Sequence, residues 1–154
     1  MLEYTDVDGT KKRPVMVHKA LLGSIERFMS VYIEHTAGRF PVWLAPEQIR
    51  IISVNQESET ADFSKNISER ATRLGLRVCI DNSNESVGKK IRAAELMKIP
   101  YVVVVGEKEL KSGQVMPRVR RDMEVGVDHS SLTVEEFLKT VANEAKSRTI
   151  KTSL

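Results

Sequence analysis

The sequence predicts an α/β fold, a largely parallel sheet with helices on its faces. Three observations carry this. Short apolar, β-branched runs at 49–54, 77–81 and 101–106 have the length and composition of strands. Between them, 58–74 and 86–97 repeat apolar residues at helical spacing. The run at 101–106 shows no polar alternation, as expected of a strand covered on both faces. Strands alternating with helices imply parallel pairing through right-handed crossovers.

Taken in order, residues 1–22 read as a hairpin-like piece turned at Asp8–Gly9, with a short strand at 15–17. A helix is expected over 24–36. Its stripe is Ile25, Phe28, Met29, Tyr32 and Ile33, with Ser24 as N-cap and Gly38 as stop. Residues 39–48 hold two prolines and read as a connector, but Phe40, Val42, Trp43 and Leu44 call for burial. The 58–74 helix should bury Phe63, Ile67, Ala71 and Leu74 and end at Gly75. A polar loop follows at 81–85. The next helix turns Val87, Ile91 and Ala94 inward, and Pro100 bars its continuation. Residues 111–113 read as a turn and 114–121 as a strand, where Pro117 marks an edge or a bulge. Thr133 should cap a last helix with Glu135 and Glu136 in its first turn. Its inner face is Val134, Phe137, Leu138, Val141 and Ala145.

Composition limits the function. The 41% apolar content suffices for a core without staples, and the single cysteine, Cys79, permits no internal disulfide. Its mid-strand place suggests a buried structural thiol. The first residues lack an apolar core for secretion, and no run is long enough to span a bilayer, so a soluble, cytoplasmic protein is expected. A net charge of +3 merely permits a nucleic-acid partner. Basic residues gather at Lys89, Lys90, Arg92 and Lys98, and again at Arg118, Arg120 and Arg121. On composition alone a solvated helix face and a charged edge strand are the favoured explanation. Dinucleotide and nucleotide phosphate loops and the G-x-S-x-G elbow are all missing. His18, His35 and His129 are too far apart for a local metal site. In parallel sheets ligands sit beyond the carboxyl ends of the strands, which directs attention to the loops after Asp81 and Gly106.

Four blocks carry a more specific signal. RPVMVHKALLGSIERF at 13–28 resembles the motif 3 region of class II threonyl-tRNA synthetases. EHTAGRFPVWLAPEQIRI at 34–51 resembles the junction of catalytic core and anticodon-binding domain in that family. DNSNESVGKKIR at 81–92 and PYVVVVGEKE at 100–109 then follow the anticodon domain in order. The histidine in HKALLGSIERF separates the threonine enzymes from those for histidine, proline and glycine. The resemblance implies a boundary scheme: the end of the catalytic core at 1–40, a connector at 41–48 and the anticodon-binding domain at 49–154. That domain would be three-layered, with a mixed, mostly parallel central sheet and flanking helices.

The resemblance also implies roles. Arg27 matches the motif 3 arginine that contacts ATP phosphates, where a rigid cationic fork stabilises developing charge. Gly23 would allow close approach of substrate, and Ser24 would line the threonine pocket. His18 matches a ligand of the zinc that binds threonine's amino and hydroxyl groups. The other two zinc ligands are not in this sequence, and one histidine cannot hold zinc. Asn84, Arg92, Glu109 and Arg118 match anticodon-contacting positions, with polar groups suited to base edges. Lys89, Lys90 and Arg120 are expected on tRNA phosphates, which position without specifying.

The whole enzyme, a homodimer through its catalytic core, would use zinc and Mg-ATP to activate threonine and charge tRNA(Thr). Motifs 1 and 2 are absent from these residues, so this chain alone is expected to be inactive, with no cofactor, no DNA partner and no membrane. A non-catalytic interaction module built on the same fold is the alternative. The sequence departs from the family at Lys19, at Pro117 and over 121–131.

Overall fold

Asp8–Gly9 makes the turn expected of it. In the computed structural model, which describes residues 2–55, 57–123, 130–152 and 154, β1 (Tyr4–Thr5) pairs antiparallel with β2 (Lys11–Lys12). Gly9 takes φ +79°, a left-handed conformation natural to glycine. Asp8 accepts from both the N–H and the hydroxyl of Thr10, at 2.9 and 2.6 Å. The expected strand at 15–17 does not form. Val15, Met16 and Val17 are exposed, and none of the described residues pairs with them. A strand needs a neighbour for its N–H and C=O groups, whatever its side chains favour. Helix α1 (Ile25–Thr36) forms as expected, although it buries no residue. It ends where Ala37 and Gly38 take φ +50° and +74°.

The chain divides into two units, Met1–Glu34 and His35–Leu154. The second unit is the α/β domain. Its elements are β3 (Ile49–Ser53), α2 (Ser58–Arg73), β4 (Val78–Asp81), α3 (Val87–Leu96), β5 (Tyr101–Val105) and α4 (Glu107–Ser112). Then come β6 (Gln114–Val115), β7 (Arg118–Val119), a short 3-10 turn (Arg121–Met123), β8 (Leu132–Thr133) and α5 (Val134–Ser147). The central sheet runs β4-β3-β5-β7. β3 pairs parallel with β4 and β5, while β7 closes the edge antiparallel to β5. The sheet is therefore mixed and mostly parallel, as expected.

Alternation along the strands builds the layers. Ile49, Ile51, Tyr101, Val103 and Val105 pack with Ile67 and Ala71 of α2 and with Phe137, Leu138 and Val141 of α5. Ile52 and Val102 point the other way and pack with Ala94 of α3 and Ile99. Helices on both sides of one sheet make three layers. The proline-bearing connector is held in place by Gln48, which is 1% exposed. Its amide donates to Val42 O and accepts from the Arg77 N–H, both at 2.8 Å.

Several expectations change. Leu74 lies exposed beyond the last turn of α2, and Leu76, after the φ +79° turn at Gly75, fills the core instead. Residues 107–112 form α4 and not a loop ending in a turn, because Gly113 at φ +66° closes a full helical turn. The strand expected over 114–121 breaks at Pro117 into β6, which pairs with β8, and β7, which joins the central sheet. Proline offers no N–H to a ladder. Cys79 is exposed on β4, an edge strand, and is not a buried thiol. Of the unusual 121–131 segment, residues 124–129, His129 included, lie outside the described residues.

Candidate nucleic-acid interface

Three loops meet at the carboxyl ends of the parallel strands, where such sheets place their ligands. The end of β3 sits against the end of β5, with the Val54 N–H donating to Val105 O at 2.9 Å. A Cβ on Gly106 would come within 3.2 Å of a Val54 methyl, so the two strand ends are closely packed there.

The loop after β4 carries Asn84. Asp81 shapes it by accepting from the Ser83 N–H at 3.0 Å, an Asx turn. Ser83, and then the charges of Lys90 and Arg50, hold the Asp81 carboxyl below its ordinary range against the opposing effect of burial. Arg50 lies 3.8 Å from Asp81 and is gripped by Glu47. The loop therefore leaves the sheet in a fixed direction, with Asn84 exposed.

Helix α3 follows and sorts its cations by helical phase. Lys89 is exposed and pairs with Glu85 at 2.7 Å. Arg92 is exposed, with no side-chain hydrogen bond or ion pair to any of the described residues. Lys90 is only 6% exposed. Its ammonium donates to Ser53 O and Asp81 O, at 3.4 and 3.3 Å. The expected phosphate contact at Lys90 is therefore corrected, since its charge is directed into the fold. The sequence held the signal. Position 90 falls three residues after Val87 and four before Ala94, on the inward stripe of the helix.

Glu109 stands in the first turn of α4. Its carboxylate accepts from the Gly106 N–H at 3.0 Å, leaving the other oxygen for a further donor. Arg118 is exposed and pairs in register with Val102, so it shares the sheet face that α3 covers. Arg120 is another correction. Its side chain is 8% exposed and donates to Lys98 O at 2.8 Å and Phe40 O at 2.9 Å while pairing with Asp122. It ties three chain segments together and is not available to phosphate.

Asn84 thus belongs to the loop after β4 at the carboxyl edge, Glu109 to the first turn of α4 after β5, Arg92 to α3 and Arg118 to the sheet face that α3 covers. The four present a carbonyl and amide, a carboxylate and two guanidinium forks, groups that match base edges. In the first unit, His18, Gly23, Ser24 and Arg27 are all exposed. Ser24 caps α1, with its hydroxyl 3.5 Å from the Arg27 N–H. Among the described residues no three possible metal ligands gather, and His18 alone does not fit a zinc site. No helix among them is long and apolar enough to cross a membrane.

This chain belongs to the anticodon-binding-domain family, whose pattern matches residues 48–144. Within that family it corresponds to the anticodon-binding part of threonyl-tRNA synthetases. It is 47% identical over 146 residues to threonine–tRNA ligase of a Geobacter species, and 41% identical over 148 residues to that of Clostridium botulinum. Those matches cover 95% and 96% of this chain but 22% of each relative. A solved RNA-binding domain of threonyl-tRNA synthetase from Cryptosporidium parvum superimposes with a TM-score of 0.72 at 31% identity, covering 99% of this chain and 36% of that one. Prolyl-tRNA synthetase of the same organism shares the fold at 19% identity, with a TM-score of 0.59 over 95% of this chain and 34% of that one.

Proposed function

We propose that this chain reads the anticodon of tRNA(Thr) as part of a threonine–tRNA ligase, with Asn84, Arg92, Glu109 and Arg118 as the base-contacting residues. One observation supports the assignment most: Asn84 and Arg92 project, exposed, from the loop and helix at the carboxyl edge of the sheet. Unstacked anticodon bases offer the edges such groups recognise. Lys89 supplies phosphate contact beside them, exchanging Glu85 for a phosphate oxygen.

In the longer protein, residues 1–40 complete the catalytic core. There Arg27 contacts ATP, Gly23 and Ser24 border the threonine site, and His18 joins two further ligands on zinc. The ligase is a cytoplasmic homodimer, and this chain alone activates no threonine. These roles rest on the motif 3 resemblance.

The test is a low-salt filter-binding titration. An anticodon stem-loop of threonine tRNA is compared with one whose second and third anticodon bases, G and U, are replaced. Preference for the native loop that Arg92→Ala abolishes supports anticodon reading. Equal binding to both would reduce the surface to a generic cation patch and favour the interaction-module reading.

A further inference from the structure

We infer that Lys90 is a positioning residue of the anticodon site: its buried ammonium staples the carboxyl ends of β3 and β4 to α3 and thereby sets where Asn84 and Arg92 stand. The inference rests on the anticodon reading above. Lys90 is the only lysine among the buried polar residues of the described chain. A lysine is rarely so covered unless its charge has partners, because removing an ammonium from water is costly. Its partners are two main-chain oxygens, Ser53 O at the last residue of β3 and Asp81 O at the last residue of β4. Both oxygens stand at the carboxyl ends of neighbouring parallel strands, and an ammonium with three donors reaches the two at once.

The geometry links this staple to the reading residues. Asn84 lies three residues beyond Asp81, past the Asx turn that Asp81 also holds. Arg92 lies two residues beyond Lys90 on α3, about 200° around the helix, so an inward Lys90 sends Arg92 outward. One side chain thus fixes the strand end from which the loop departs and the rotation of the helix that carries the guanidinium. A site of this kind needs its reading groups held to a fraction of an ångström by the shell beneath them.

The test uses Lys90→Met, which keeps length and apolar stem but removes the charge. It is compared with Lys89→Met on native and anticodon-substituted stem-loops across a salt series, with thermal melts to establish that each variant is folded. For Lys90→Met, the preference for the native loop falls about fivefold or more, the scale of one base contact, while the salt dependence stays that of the unaltered chain. For Lys89→Met the preference stays and the salt slope drops by about one. A lowered salt slope with preference intact in Lys90→Met would make Lys90 a phosphate contact and overturn the inference. A lower melting temperature with preference intact would overturn it too, by reducing Lys90 to holding the fold. If the unaltered chain shows no preference, it is the anticodon reading that fails.

Should Lys90→Met not fold, reductive methylation of the unaltered chain decides. Lys90 stays unmodified with and without RNA, whereas Lys89 reacts and is shielded by RNA. Ready modification of Lys90 in the free chain, lost when RNA binds, would overturn the staple.

Discussion

Tyr101 and Glu144 meet inside the α/β domain, the phenol donating to Glu144 Oε2 at 2.5 Å. Both are buried, at 0% and 2% exposure. The Thr152 hydroxyl joins them, 2.7 Å from the phenol oxygen and 3.1 Å from Glu144 Oε1. Tyr101→Phe deletes one partner of a buried carboxylate and should destabilise the domain by about 1–3 kcal/mol, read from urea denaturation.

The same pair gives stability a pH limit. Burial first, and then the bond to Glu144, push the Tyr101 ionisation above its ordinary value. Unfolded chains release this proton near pH ~10, and the folded chain releases it higher. The contribution is therefore complete below that pH and declines as pH rises through the folded value. Melting temperature should fall on the alkaline side, and less steeply in Tyr101→Phe.

Arg120 should behave as a structural residue. Arg120→Met removes the donors to Lys98 O and Phe40 O and should cost about 2–3 kcal/mol, the scale of hydrogen bonds to a charged group. RNA affinity measured on the folded fraction should keep its dependence on salt. A shallower slope would restore the expectation of a phosphate contact.

Arg118→Lys separates fork from charge. Lysine keeps the cation but cannot present two parallel N–H groups. Discrimination should drop by a factor corresponding to about 1–3 kcal/mol, with the salt dependence unchanged. Unchanged discrimination would remove Arg118 from the reading set.

Thr133 caps α5 with a reciprocal pair. Its hydroxyl accepts from the Glu136 N–H at 3.2 Å, and Glu136 accepts from the Thr133 N–H at 3.0 Å. Thr133→Ala should cost about 1 kcal/mol, visible as a lower denaturation midpoint with an unchanged slope.

The α/β core was legible because the buried strands are short continuous apolar runs and the helices repeat apolar residues at helical spacing. Ile67, Ala71, Ala94, Phe137, Leu138 and Val141 are buried as that spacing required. What was not legible depended on neighbours. Residues 15–17 have strand composition but no partner among the described residues, and Cys79, mid-strand and expected to be buried, is exposed because β4 lies at an edge. The place of the candidate loops was legible, since the carboxyl edge follows from parallel pairing. The allocation of its cations was not, because Lys89 and Lys90 differ only by one step of helical phase. Position 90 could have been recognised from the 87–94 stripe. Arg120 could not, since its partners at Lys98 and Phe40 are distant in sequence.

Cys79 is the only thiol in the chain, and it is exposed. It stands in register with Arg50 on the edge strand and two residues before Asp81. Maleimide chemistry will therefore attach one fluorophore or spin label at one defined point without further engineering. That point is beside the strand end from which the Asn84 loop departs and outside the set of residues assigned to RNA. The chain comes with a built-in reporter, able to register movement of that loop when a stem-loop arrives.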